Sequence, residues 1–431
     1  MGYFGTDGVR GRAGAAKLAP EVVVRLARAA ALATGARRAA VGRDTRASGH
    51  ALEAAVVAGL SHAGCDAELV GVLPTAGTSW WTAHTGADLG LMITASHNPH
   101  TDNGLKLFGA DGTKLADSVQ AEVGARMEDA PEAPGRWGRV AHMEGARETF
   151  ADLLLGTVPQ DALKGLSVVL DAANGAGSAL APGVLRRAGA EVHAIGVAPD
   201  GTNINRGVGS THPETLAAEV VARGADVGVA LDGDADRLIL ADETGRIIDG
   251  DQILALLADA HDAPALVSTV MSNLGLQRHL EEQGKTLHRT AVGDRHVAKL
   301  LRETGLPVGG EPSGHLLLPA VLPTGDGTLA ALQALAALRG RKASDALRLF
   351  TPVPQLLRNV RYTPGDGGAS PLERADVRDA IAKAQSDLSG RGRLLVRLSG
   401  TEPLVRIMVE GDDMGEVEAV AKTLAEAVAG S

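Results

Sequence analysis

The stretch LGLMITASHNP, Leu89 to Pro99, sets an unbroken apolar run against Thr94, Ser96, His97 and Asn98, with Pro99 to stiffen the exit. The run, Leu89-Gly90-Leu91-Met92-Ile93, reads as a strand buried on both faces, as strands of parallel sheets are. It ends abruptly in polar residues. Ser, Asn and Pro are common turn formers, because each offers the backbone a non-repeating conformation. The stretch alone therefore reads as a turn as readily as a site, and the rest of the chain has to decide.

Working outward, three stretches share one plan of strand, helix, strand and polar loop. In the first, Ala39-Ala40-Val41-Gly42 leads to a helix near 48–63, then Glu68-Leu69-Val70, and the strand at 89–94 delivers ITASHNP. In the second, residues 166–170 lead to a helix near 177–188 and a strand at 191–195, and the strand Val227-Gly228-Val229-Ala230-Leu231 delivers DGDADR, Asp232 to Arg237. In the third, residues 265–269 lead to a helix near 274–283 and a strand near 287–290, and VGGEPSGH closes the unit at His315. Strands alternating with helical patterns predict βαβ units and parallel sheets, in which ligands bind beyond the carboxyl ends of the strands. The tail differs: a helix over 371–388, two strands around the loop Arg397 to Thr401, and a helix over 414–429. The predicted fold is α/β, with three βαβ-type domains of mixed, largely parallel sheets and a C-terminal α+β domain. The predicted domains are 1–150, 151–250, 251–358 and 359–431; TPGDGGASP lies at the last joint.

With 431 residues the chain is too long for one ordinary core. Aromatic residues make up only 2%, so the cores must be built from Ala, Val and Leu. The net charge of −10 (42 basic against 52 acidic residues) argues against nucleic acid as a partner, which needs a basic face. It leaves room for a small anionic substrate, since a few arginines can dominate one cleft. Cys65 is the one cysteine, and a cytoplasmic home is the natural expectation. No signal peptide and no membrane-spanning run is visible in the sequence.

The loops carry chemistry. Asp232, Asp234 and Asp236 alternate with Gly233 and Ala235; in an extended segment they would point to one side. Three such carboxylates repel unless a cation sits between them, and all-oxygen ligation suits Mg²⁺ or Ca²⁺. A calcium loop fits less well, because its sixth position, where Gly is needed, is Arg237 and the preceding element is a strand. Arg237 reads as an ion-pair partner or as a fork for phosphate. In GEPSGH, alternation would aim Glu311, Ser313 and His315 together: a carboxylate and a hydroxyl for sugar oxygens, and a histidine able to move a proton. RLSGTEPLVR offers Arg397, Ser399, the Gly400 amide, Thr401 and Arg406, which is the composition of a phosphate cradle. GTDGVRGR adds Arg10, and DNGLK adds Lys106.

In this order, GTDGVRG, ITASHNP, DNGLK, DGDADR, GEPSGH and RLSGTEP resemble the α-D-phosphohexomutase family over essentially the whole chain. The stretches Asp249 to Ile253, Met271 to Leu276 and SGTEPLVRIMVEG look most like its glucosamine-phosphate branch. The resemblance implies four domains around one central cleft and a phosphoryl group carried on Ser96. It implies Mg²⁺ held by Ser96, Asp232, Asp234 and Asp236, and charge stabilisation by Arg10, Lys106 and Arg237. For the proton of the sugar hydroxyl it points to His315, with Lys106 or His97 as alternatives. It further implies interconversion of glucosamine 6-phosphate and glucosamine 1-phosphate through glucosamine 1,6-bisphosphate, supply of UDP-N-acetylglucosamine, and a monomer or homodimer. The rival readings are a relative acting on mannose or glucose phosphates and a sugar-phosphate-binding protein without catalysis. One departure stands out: the family's metal loop carries Gly where this chain has Ala235, which Ala can fill only by avoiding positive φ.

Overall fold

The computed structural model describes residues 3–5, 7–129, 135–338, 340–363, 370–399 and 403–430. The chain forms two compact units, Met1–Thr269 with Thr290–Leu349, and Val270–Arg289 with Phe350–Ser431. No described helix is long and apolar enough to cross a membrane.

The first unit holds three mixed sheets. The first has six strands: β1 (Val9–Arg12), β2 (Arg38–Arg43), β3 (Asp66–Val72), β4 (Leu89–Ile93), β5 (Asp102–Gly109) and β6 (Val140–His142), in the order β1-β5-β4-β2-β3-β6. β2, β3, β4 and β6 pair in parallel, while β5 runs antiparallel to both β4 and β1. Side chains alternate across β4. Leu89, Leu91 and Ile93 join the core that the helices Pro20–Thr34 and Gly49–His62 build with Val23, Leu26, Leu52 and Leu60. Met92 faces the helix Thr75–Thr85, whose Thr78 hydroxyl meets its sulfur at 3.5 Å. Burial on both faces is why this strand is an uninterrupted apolar run.

The second sheet contains β7 (Ser167–Asp171), β8 (Glu191–Ile195), β9 (Val227–Leu231), β10 (Leu238–Asp242) and β11 (Ile247–Ile248). β7 pairs in parallel with β8 and β9, and β10 turns back antiparallel to β9. In the third, β12 (Ala265–Thr269) pairs in parallel with the short strand Gly309–Gly310, which pairs antiparallel with Leu316–Leu317. The polar loops beginning at Thr94, Asp232 and Glu311 thus follow the carboxyl ends of β4, β9 and Gly309–Gly310.

The second unit is an antiparallel sheet in which Leu404–Gly411 lies between Gln355–Arg361 and Gly392–Leu398. Val405, Ile407 and Val409 pack on the helices Ala375–Asp387 and Met414–Ala429.

Two local expectations are corrected. The segment Asp232–Asp236 is a tight turn, not an extended strand end, with the Ala235 amide donating to the Asp232 carbonyl at 3.0 Å. Ala235 does not avoid positive φ: it sits at +59°. The turn requires this, and the Gly327 amide holds the strained carbonyl of Ala235 at 2.8 Å. A left-handed Ala costs more than Gly, although Gly loses more entropy on folding. Ala235→Gly is therefore expected to stabilise the protein by roughly 0.5–1 kcal/mol. The check is a urea midpoint that rises at an unchanged slope.

Candidate active site

β4 delivers Ser96 into the interior, where it is 1% exposed. Its hydroxyl donates to Asp232 Oδ2 at 2.6 Å and lies 3.2 Å from His97 Nδ1. On the neighbouring strand β5, Lys106 stands opposite Met92 of β4. Its buried ammonium donates to Asp234 Oδ2 at 2.8 Å and Asp236 Oδ2 at 2.9 Å. Arg10, on β1 beyond β5, pairs with Asp7 at 2.5 Å, and Asp7 lies 3.3 Å from Lys106. One sheet therefore brings the serine and two cations to the acidic turn of the next.

Within that turn, ligand oxygens of Asp232, Asp234 and Asp236 all lie within 4.8 Å of one another, and all three residues are buried. Burial, followed by the charges of Asp236 and Asp234, pushes the Asp232 carboxyl well above its usual range. Burial also opposes the charge on Asp236, but Lys106, His315 and Arg237 outweigh it and hold that group well below the usual range. Asp234 Oδ1 and Asp236 Oδ1 are buried without a hydrogen-bond partner among the described residues. Carboxylate oxygens so placed, with no nitrogen or sulfur donor among them, suit a hard divalent cation. The residues present fit a metal site.

The expectation that alternation aims Glu311, Ser313 and His315 together is not met in the GEPSGH loop. The loop is a turn, so the expected alternation is absent. Gly314 takes φ +88°, and a Cβ there would stand 2.0 Å from the Leu238 carbonyl oxygen. The Gly314 carbonyl accepts the Leu238 amide at 2.9 Å, and Arg237 and His315 form a backbone bridge, which ties this loop to the exit of the acidic turn. Ser313 is at the exposed tip, and Glu311 accepts the Gly293 amide at 3.0 Å. His315 turns inward instead: Nδ1 lies 3.6 Å from Asp236 and Nε2 lies 3.3 Å from Asp294. Burial disfavours its charge, yet the two carboxylates override this and raise it to about 10. His97 moves the other way. Half-buried and facing Arg237 and Arg10, it is lowered to about 4.

Several partners of these side chains escaped the sequence reading. Asp7 and Asp294 are bridged by Lys114, which lies 2.5 Å from Asp294. Thr75 donates to Asp234 Oδ2 at 2.5 Å. Asp7 lies inside the quoted GTDGVRG motif, and that could have drawn attention to it. Lys114, Thr75 and Asp294 carry no local signal, because only the fold brings them together.

The C-terminal loop belongs to the second unit. Arg397 and Arg406 stand directly opposite each other across the antiparallel strands. Burial, and then Arg406, pulls the Arg397 guanidinium below its usual value. Ser399 Oγ and Arg406 Nε are buried with no partner among the described residues. Like charges in register are destabilising unless an anion joins them. Gly400 and Thr401 lie outside the described residues.

Comparison with known proteins fits this geometry. Four descriptions of phosphoglucomutase/phosphomannomutase match in order: α/β/α domain I at residues 1–133, domain II at 148–245, domain III at 249–353 and the C-terminal domain at 357–427. The chain belongs to the phosphoglucomutase/phosphomannomutase family of α-D-phosphohexomutases, enzymes of the isomerase class. Within that family it is similar to curated phosphoglucosamine mutases. That of Novosphingobium aromaticivorans is 48% identical over 441 residues, covering 99% of this chain and 98% of the relative. That of Caulobacter vibrioides is 49% identical over 444 residues, with the same two coverages of 99% and 98%. A crystal structure of a phosphoglucomutase/phosphomannomutase family protein from Burkholderia thailandensis superposes with a TM-score of 0.82 at 25% identity, covering 98% of this chain and 96% of that one.

If the acidic turn is the metal site, Asp234→Asn and Asp236→Asn should each weaken divalent-cation binding by at least about tenfold, since even outer-shell partners of a metal cost that much. Calorimetric titration of the metal into each variant gives the answer, and unchanged affinity would move the metal elsewhere.

Proposed function

We propose that this chain interconverts glucosamine 6-phosphate and glucosamine 1-phosphate, with Ser96 as the phosphoryl carrier and glucosamine 1,6-bisphosphate as the intermediate. The observation that carries the reading is the buried Ser96 hydroxyl held 2.6 Å from Asp232, inside a carboxylate triad with unpartnered oxygens. The names of the curated relatives support glucosamine as the sugar. The metal we assign is Mg²⁺, held by the three carboxylates and an oxygen on Ser96. Bound there, it would offset the charge that develops on the transferring phosphoryl group.

The chain's own residues do the rest. Phosphoserine gives its phosphoryl group to the free hydroxyl of the bound sugar phosphate. The resulting bisphosphate turns end for end and returns its other phosphoryl group to Ser96. Arg10, Lys106 and Arg237 supply positive charge around the serine. In the first transfer the sugar hydroxyl loses a proton while the freed Ser96 oxygen takes one up. In the second the Ser96 hydroxyl loses a proton while the freed sugar oxygen takes one up. We assign His97, the neutral base 3.2 Å from the Ser96 oxygen, to carry that proton both ways. This revises the preference for His315 as carrier of the sugar hydroxyl's proton, because its ring nitrogens both face carboxylates and its proton is held to about 10. We assign His315 to orienting Asp236 and Asp294. Groups whose surroundings drive their pKa values apart in this way divide the acid and base work of a site.

Glu311 and Ser313 we assign to sugar hydroxyls, and Arg397, Ser399, Gly400, Thr401 and Arg406 to the phosphate that is not reacting. Ser399 Oγ and Arg406 Nε, buried without a partner among the described residues, support that clamp. The single cysteine supports a cytoplasmic setting.

The test is turnover of glucosamine 6-phosphate with Mg²⁺ and a trace of the 1,6-bisphosphate, set against glucose and mannose phosphates. Intact mass should show a phosphoryl adduct that Ser96→Ala removes, with activity falling by several orders of magnitude. Full activity in Ser96→Ala rejects the carrier, and faster turnover of mannose or glucose phosphate rejects the sugar. For the proton, the base form of His97 exists above about 4, so the wild-type rate should fall as pH drops through that value. His97→Asn should lower turnover and abolish that limb, whereas His315→Gln should mainly weaken metal affinity.

A further inference from the structure

We infer that Arg46, assisted by Asn205, is a positioning residue for phosphoryl transfer: it fixes the main chain of the Ser96 loop so that the serine oxygen meets the acidic triad. Arg46 and its partner Asp44 have fully buried side chains. The guanidinium has five N–H donors, and all five are spent. Nε donates to Asp44 Oδ2 at 2.8 Å. Nη2 donates to the carbonyls of Ser96 at 2.9 Å and Asn98 at 2.8 Å. Nη1 donates to the carbonyl of Asp102 at 3.0 Å and to that of Pro99. Every carbonyl it binds lies in or just after the stretch that carries the nucleophile.

The same network reaches Ser96 from its other side. Asp44 Oδ2 accepts the Thr94 hydroxyl at 2.7 Å, and Thr94 Oγ1 accepts the Ser96 amide at 2.9 Å. Asn205, from the second sheet's region, donates to the carbonyls of Ser96 at 2.9 Å and Asn98 at 3.1 Å. Both the amide and the carbonyl of Ser96 are thus held. They need to be, because Ser96 sits at φ +51°, a left-handed conformation that a serine does not keep unaided. The acidic turn closes on the same carbonyl: a Cβ on Gly233 would stand 2.5 Å from the Ser96 oxygen. A displacement of about 1 Å in a reacting atom can cost ~10²-fold in rate. Arg46 and Asn205 place the serine from behind and, among the described residues, bond to neither Glu311 nor Ser313.

The inference rests on Ser96 being the carrier, and the experiment separates the two failures. Arg46→Lys keeps the charge beside Asp44 but lacks the planar fork. It should lower kcat by roughly 10²-fold, with KM for glucosamine 6-phosphate within about threefold of wild type. In a single turnover with the 1,6-bisphosphate, phosphorylation of Ser96 should slow by the same factor. Asn205→Gly provides the second arm. Glycine accepts the φ of +57° found there, so this variant removes two bonds to the loop without backbone strain. It should fold with an unchanged melting temperature and also slow Ser96 phosphorylation, by a smaller factor. Wild-type phosphorylation rates in either folded variant overturn the inference. So does a loss of kcat that only tracks a fall in melting temperature, which marks a merely structural role. If Arg46→Lys does not fold, Asn205→Gly decides alone. Absence of phosphorylation at Ser96 in the wild type instead overturns the carrier reading itself.

Discussion

Three carboxylates share one buried turn, and the rest of the active site answers to that fact. Unpaired charge in an interior of low dielectric is costly, and removing one partner of a buried pair typically loses about 3–5 kcal/mol. Asp232, Asp234 and Asp236 are met by Lys106 from β5, Arg237 from the turn itself, and His315 from the loop after Gly309–Gly310. These cations recruit further acids. Lys106 and Lys114 share Asp7, and Lys114 and His315 share Asp294. The result is a connected lattice of charge that joins the N-terminal segment, the three sheets of the first unit and the start of the helix Asp294–Thr304. Among the described residues the lattice still leaves Asp234 Oδ1 and Asp236 Oδ1 without a hydrogen bond, and oxygens so placed suit a divalent cation.

Strain accompanies the charge. Ser96 and Ala235 both take left-handed φ, and the Ser96 hydroxyl meets the turn that Ala235 helps to shape. Such conformations persist only where surrounding bonds over-determine them. At Ser96 the bonds come from Thr94, Arg46 and Asn205. At Ala235 they come from the turn itself and from the Gly327 amide.

The second unit shows the opposite pattern. Arg397 and Arg406 stand opposite one another across antiparallel strands, and Ser399 Oγ and Arg406 Nε are buried without a hydrogen-bond partner among the described residues.

The sequence by itself determined the architecture and where its polar loops lie. The apolar run before ITASHNP, the matching run before DGDADR and the glycine-rich approach to GEPSGH each predict a strand that ends in chemistry. The parallel-sheet rule then places all three loops at carboxyl ends. Composition also foretold cores of small aliphatic residues, seen in the buried alanines of the helix Pro20–Thr34. Local reading failed where geometry depends on a turn. Alternation aimed Glu311, Ser313 and His315 together, but the left-handed Gly314 sends His315 inward and leaves Ser313 outside. Only the tertiary structure decided which groups pair across long separations. Lys114 with Asp294, Thr75 with Asp234 and Arg46 with the Ser96 loop are contacts between residues distant in sequence, and no spacing encodes them. The protonation of the histidines was likewise decided in three dimensions. His97 and His315 are the same residue type, and it is the arginines facing one and the carboxylates facing the other that set them apart.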